Sequence, residues 1–419
     1  MVTLGQLANA DQGAMQRAAG GWMALSKEAW QAVNDIHDNG VDPLKSNWQD
    51  RVGQSAGQKL AEQARILEAG ADVMRGVAMV LDGLAASTGY AQSTLNSALD
   101  LARGCNLVVD LAQGVVVPGP GQLSPDDREQ ISQVDRLLAE AQREATQADR
   151  QAAAELRKLG AATCLTDPDA ALNQYQNEAS RTELAMYQGD IPTGADPATV
   201  AAWWRALTPA QQQQLQLSEP VALAGLDGIP DSVKLDLRGG PDAKYDRVKL
   251  VQWTLDHWND DSTNVFDDNC TNFASEALAA AGVQYKGDWT LDGDGWGKGG
   301  QSGWNWLDAH DHSHTASWAA AQNMHDFMVG NGGQEIPPDQ VKPGDLVYYE
   351  EDSDQDGQDG KGVIHHTAIV TAVTPDGDIR YTQHSGDMQN GSIGGRMDAF
   401  QEGRGHQKLH FVRVQPNWY

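Results

Sequence analysis

Cysteine and cationic side chains are both scarce in this 419-residue sequence, which has 3 cysteines and only 30 lysines and arginines against 58 aspartates and glutamates. Three cysteines give no disulfide framework. Cys105 and Cys164 fall in helical patterns, where two small buried thiols and a pair formed in an oxidising compartment are both open readings. The shortage of cations leaves a net charge of −28. Residues 245–419 hold 27 acidic and 11 basic residues, net −16, and the remainder carries net −12. Such a chain repels phosphate backbones and anionic lipid heads, which argues against binding to nucleic acid or to a membrane surface. No apolar run reaches the length of a bilayer span, and no basic, apolar, small-residue leader precedes the first helical pattern. The expectation is a soluble protein that, if exported, does not use an ordinary cleaved signal peptide.

Histidine is abundant where the helical patterning ends. Ten of the 11 histidines lie in the C-terminal part, and so does Cys270. In Asp267-Asp268-Asn269-Cys270-Thr271-Asn272-Phe273, the polar trio can cap a helix whose apolar side runs through Phe273, Ala277, Leu278 and Ala281 and stops at Gly282. Cys270 then sits in the first helical turn. There the helix dipole and a nearby imidazole favour a thiolate. His366, in His366-Thr367-Ala368-Ile369-Val370, and His384, in Thr382-Gln383-His384-Ser385, stand on β-patterned segments as candidate bases. Thiolate, base and orienting residue are the parts of a cysteine acyl-transfer site. The bland alternative is a buried structural cysteine with two unrelated histidines.

The order of several motifs carries more than any one of them. Tyr245-Asp246-Arg247, Cys270-Thr271-Asn272-Phe273, Pro343-Gly344-Asp345-Leu346-Val347-Tyr348-Tyr349, the His366 strand and the His384 segment together resemble the Putative amidase domain family of bacteria, which is similar to the papain-like NlpC/P60 and CHAP cell-wall hydrolases. The resemblance covers about 245–419. It implies Cys270 as nucleophile, His366 as general base and His384 as third member, on an α+β layer with the nucleophile helix against an antiparallel sheet. One departure is His365, which stands where that family usually has an acidic residue. Alternation along a strand lets only one of His365 and His366 face the thiol.

The N-terminal part reads as an all-α elongated bundle over 1–165, followed by a helical connector over 166–241 and the papain-like domain over 242–419. Met15, Ala18, Trp22, Leu25, Ala29, Val33 and Ile36 form one helical stripe; a second restarts at Val52 and continues through Leu84; a third runs from Ile131 to Leu159. The first two helices, with Trp48 in the turn and Gly53 and Ala56 after it, resemble the WXG100-like modules of actinobacterial type VII secretion substrates, although Asp50 occupies the usual glycine position. No YxxxD/E tag follows the tyrosines of the helical part, so export would run through a WXG100-like partner or another route. A plain helical spacer is the alternative.

Other clusters have weaker chemical readings. Asp352, Asp354 and Asp356 lead into Gly357 like the opening of a calcium loop, but Val363 takes the twelfth position, so an acidic hairpin tip competes with a calcium site. His310-Asp311-His312-Ser313-His314 has ligand atoms for a transition metal without the accompanying pattern of a catalytic zinc site. Trp289, Trp296, Trp304, Trp306 and Trp318 read as core and cleft wall. The combined expectation is a secreted cysteine amidase or peptidase needing no cofactor, with peptidoglycan as substrate. Two alternatives stay open: a toxin acting on a target-cell protein and paired with an immunity protein, and a non-catalytic adaptor.

Overall fold

The computed structural model describes residues 1–118, 125–162, 167–287, 295–298, 314–352, 360–395 and 407–419. The chain divides into two compact units, Met1–Ala222 with Leu226–Ile229 and Leu223–Gly225 with Pro230–Tyr419.

The first unit is helical and is organised by one helix, Arg51–Gly104, of 54 residues, roughly 80 Å long. Asp50 caps it by accepting from the N–H groups of Val52 and Gly53. Gly53 is required by sterics, since a Cβ there would lie 2.1 Å from the Trp48 carbonyl oxygen. From Ala69 onward this helix is buried on several faces, as Ala71, Ala78, Met79 and Val80 show, because other helices surround it. The helix Pro125–Ala161 buries Val134, Leu138, Ala141, Ala145, Ala148 and Ala152, which is the stripe its near-heptad spacing predicts.

Two features of this unit depart from the sequence pattern. In the helix Gln12–Ile36, Trp22 and Leu25 are exposed while Ala19, Ser26, Ala29 and Val33 are buried. Close packing against the long helix selects small residues, and Ser26 Oγ donates to the Ala71 carbonyl at 2.9 Å. The second departure is a β-hairpin, β1 (Leu107–Asp110) with β2 (Val115–Pro118), inside a region expected to be all helix. Its Val-rich strands favour extended backbone, and Gly114 turns the chain with a φ of +68°.

The second unit is α+β. Its antiparallel sheet has the order β3-β8-β4-β5-β6-β7, formed by β3 (Gln334–Ile336), β4 (Leu346–Glu351), β5 (Ile364–Val373), β6 (Ile379–Gln383), β7 (Met388–Ser392) and β8 (Gln407–Arg413). The helix Cys270–Ala280 places Phe273, Ala277 and Leu278 in a core with Trp318, Met324 and Met328 and with Leu346, Tyr348, Ile369 and Val412 of the sheet. Among the described residues no helix is long and apolar enough to cross a membrane.

Candidate active site

Cys270 is the first residue of its helix, but the helix start is fixed differently from the cap that the Asp-Asp-Asn run suggests. Asn269 holds the N-cap position without a side-chain cap bond. Its Oδ1 accepts instead from the Val265 N–H and from Asn272 Nδ2, both at 3.1 Å. The Asn269 N–H donates to Ser385 Oγ at 2.7 Å, and Trp318 Nε1 donates to Asn272 Oδ1 at 2.7 Å. These bonds tie the helix start to the segment after β6 and to the tryptophan core. Ser385 pays for its place with a left-handed φ of 77°, a costly backbone region for a non-glycine residue. The helix ends as its sequence predicts: Gly282 has φ +104°, its N–H reaches the Ala279 carbonyl, and the Val283 N–H reaches that of Leu278, the paired bonds of a Schellman stop.

His366 lies on β5, fully buried, beside an irregularity in the β4–β5 ladder. Tyr349 pairs with His366 and Glu350 with Ile364, so His365 is the extra residue of a bulge. A bulge re-aims the side chains next to it, which is one reason for its frequency beside functional sites. The Tyr349 ring lies 5.3 Å from the His366 ring. His366 Nε2 is 3.0 Å from Gln383 Oε1, and Gln383 Nε2 donates to the Gly386 carbonyl at 2.9 Å. With the amide nitrogen committed to that carbonyl, its oxygen is the end that meets the imidazole. Nε2 therefore carries the ring proton and Nδ1 is the basic nitrogen left for the thiol.

The Cys270 thiol is buried, and burial by itself pushes its pKa up. The charge and hydrogen bond of His366, the Thr271 hydroxyl and the backbone N–H of Thr367 pull the other way and prevail, leaving the thiol below its usual value. The Thr271 Oγ1 stands 3.6 Å from Cys270 Sγ. The β5–β6 ladder begins only at Ile369 with Thr382, so the Thr367 N–H lies beyond it.

Cys270 and His366 are thus brought together, and His384 is not the group on the imidazole. Its Nδ1 donates to the Trp258 carbonyl at 2.7 Å, its Nε2 meets Asn264 Oδ1 at 2.5 Å, and its ring stacks on Phe273 at 5.6 Å. It braces the loop before the cysteine helix. The side chain that meets the imidazole is that of Gln383, which the sequence pattern did not single out although it stands next to His384. The register explains why: Ile369 opposite Thr382 places Ala368, on the His366 face, opposite Gln383.

Asp352 is exposed and 3.3 Å from Lys361 Nζ, whereas Asp354 and Asp356 fall outside the described residues. So do His310, His312, Trp289, Trp304, Trp306 and Cys164; Cys105 is a free, half-buried thiol. Trp296 and Trp318 are core, with ring centroids 4.9 Å apart.

The other motifs form the scaffold. Asp246 accepts from the Val248 and Lys249 N–H groups and caps the helix Arg247–His257. Asp345, fully buried, takes 2.7 Å from Arg247 Nη2, and 3.0 and 2.8 Å from Arg413 Nε and Nη2. This arginine–aspartate–arginine arrangement fastens the helix to the start of β4 and the end of β8.

No solved structure matches the chain. The chain is similar to the uncharacterized protein YhbB of Bacillus subtilis (strain 168), 29% identical over 136 residues, which are 31% of this chain and 38% of that protein. The chain therefore spans well under half the length of that relative. Residues 244–411, which carry Cys270, His366 and Gln383, match the family described as Putative amidase domain.

Proposed function

We propose that the C-terminal unit hydrolyses amide bonds through Cys270, with His366 as general base and Gln383 as the residue that holds the imidazole. The observation that carries this reading is the lowered thiol of a buried cysteine, facing a histidine whose far nitrogen is held by an amide oxygen. Cys270 Sγ attacks the carbonyl carbon, and His366 returns a proton to the leaving amine. The backbone N–H of Cys270, at the helix start, stabilises the developing oxyanion. Water activated by the same imidazole then releases the acyl group from sulfur. A helix-borne cysteine against a strand-borne histidine supports a papain-like arrangement.

The substrate class we favour is peptidoglycan, at a stem peptide or its amide link to sugar, and its support is the resemblance of the ordered motifs to cell-wall hydrolases. The test is incubation of the full chain and its Cys270→Ser variant with purified peptidoglycan, followed by mass spectrometry of released fragments. New amine and carboxyl ends made only by the unsubstituted chain are expected. Intact peptidoglycan, with cleavage of protein amides instead, would move the reading to a protein-directed toxin. Inertness toward both, with an ordinary Cys270 thiol, would favour an adaptor.

For localisation the reading is export with a helical partner. It is supported by the helix–turn–helix of residues 12–104, in which Trp48 is packed on Gly53. Loss of the protein from the culture medium on Trp48→Ala, with unchanged cell-associated amount, is the expected result; equal secretion would leave these helices a spacer.

A further inference from the structure

A second cluster of chemically active side chains lies on the sheet face opposite to that of the His366 side chain. His410 of β8 pairs with Tyr348 across the ladder, whereas His366 pairs with Tyr349, the next residue of β4. Neighbours on a strand point to opposite faces, so His410 and His366 do too. On the His410 face, Glu335 of β3 sits opposite Val412, and the helix Ala321–Gly330 lays His325 with its ring 5.2 Å from that of Tyr348.

Both imidazoles converge on one oxygen. Glu335 Oε1 is 3.0 Å from His325 Nε2 and 3.3 Å from His410 Nδ1, and the ligand atoms of the three residues all lie within 4.8 Å of one another. Two of these spacings match the edge of about 3.3 Å between ligands of a tetrahedral zinc ion with bonds near 2.0 Å. The far nitrogens are also held by carboxylates: His325 Nδ1 lies 3.0 Å from Asp326 Oδ1, and His410 Nε2 lies 2.6 Å from Glu350 Oε2, to which Lys408 Nζ is 3.6 Å away.

A neutral imidazole has one N–H, and here each ring has carboxylates at both nitrogens. A metal ion held by the two inner nitrogens and Glu335 would leave each ring its single N–H for the outer carboxylate. A carboxylate on the outer nitrogen is also the usual way a metal-binding histidine is oriented. Two imidazoles and a carboxylate suit borderline transition ions rather than calcium or magnesium.

We propose that His325 Nε2, His410 Nδ1 and a Glu335 oxygen bind one zinc ion, with water completing the tetrahedron and with Asp326 and Glu350 orienting the imidazoles. The ion would tie the helix Ala321–Gly330 to β3 and β8. The site is independent of the amidase reading.

The test uses the full chain, stripped with a chelator, reloaded with Zn2+ or Co2+, and dialysed. One retained equivalent by elemental analysis, a zinc-dependent rise in melting temperature, and the intense visible absorption of four-coordinate Co2+ are expected. His325→Gln with His410→Gln should weaken retention by more than about 100-fold, and Asp326→Asn, which leaves every ligand in place, by about tenfold. His310→Ala with His312→Ala and, separately, Cys270→Ser should retain the ion. Less than one equivalent on the unsubstituted chain, or binding that disappears with His310 and His312 or with Cys270, would overturn the assignment.

Discussion

Gln383 Oε1 stands 3.0 Å from His366 Nε2, while the adjoining His384 is spent on Trp258 and Asn264. The two neighbours therefore do different work. Gln383→Ala should lower the turnover of the folded fraction by about ten- to a hundredfold, because it releases the imidazole without removing the base, and should cost roughly 1–3 kcal/mol of stability for the buried partners it leaves unpaired. His384→Ala should lower the melting temperature, with activity falling in step with the folded fraction. Steady-state rates on a common amide substrate, beside thermal melts of both variants, separate these outcomes; a greater specific loss at His384 would restore it to the third position.

The Cys270 thiol is held below its ordinary value chiefly against the cost of burial by His366. Removing that imidazole should raise the thiol pKa and move the alkaline rise of iodoacetamide alkylation to higher pH. His366→Ala should also cut turnover by about 10²- to 10⁴-fold. His365→Ala, at the bulge, should leave the alkylation profile where it is. A profile unchanged by His366→Ala would remove the basis for the thiolate.

Asp345 is the buried anion between Arg247 and Arg413. Asp345→Ala leaves a buried guanidinium without its counter-charge, and the expected cost is about 3–5 kcal/mol. Equilibrium urea unfolding followed by tryptophan fluorescence reads that loss. A change within about 0.5 kcal/mol, the usual range for an unremarkable surface site, would mean that the arrangement does not carry the helix-to-sheet attachment.

Periodicity and punctuation made much of this architecture legible. The stripe from Val134 to Ala152 is buried as spaced, and Gly282 stops the cysteine helix as its lack of a side chain allows. Strands β4, β5, β6 and β8 fall on the β-branched and aromatic runs, whereas β3 and β7 carry sequences such as Gln334-Glu335-Ile336 and Met388-Gln389-Asn390 that have no strand signature. Cys270 and His366 could be proposed as a pair from the sequence because a helix start and a strand histidine are local features, and both stand on the elements expected. Gln383 could not, since its role depends on the pairing of Ile369 with Thr382, and a slip of one residue would have delivered His384. The cluster of His325, Glu335 and His410 was hidden for the same reason: it joins three elements spread over the unit.

Asp190, at the end of the helix Asn177–Asp190, is pushed up to about 8 by burial, with Glu140 adding to the shift and Ser87 and Arg143 opposing it. Burial likewise raises Glu144, and Asp190 adds to that shift. An unfolded aspartate titrates at about 3.9, so between that pH and about 8 the folded chain holds a proton that the unfolded chain has lost. Stability must then fall as pH rises through this window, by about 1.4 kcal/mol per unit for one such group, and level off above it. Urea midpoints of the helical transition, followed by far-ultraviolet circular dichroism from pH 5 to 9, should decline and then flatten. Asp190→Asn should reduce that slope and stabilise the unit most at the alkaline end. A slope that the substitution leaves unchanged would show that Asp190 is ionised throughout.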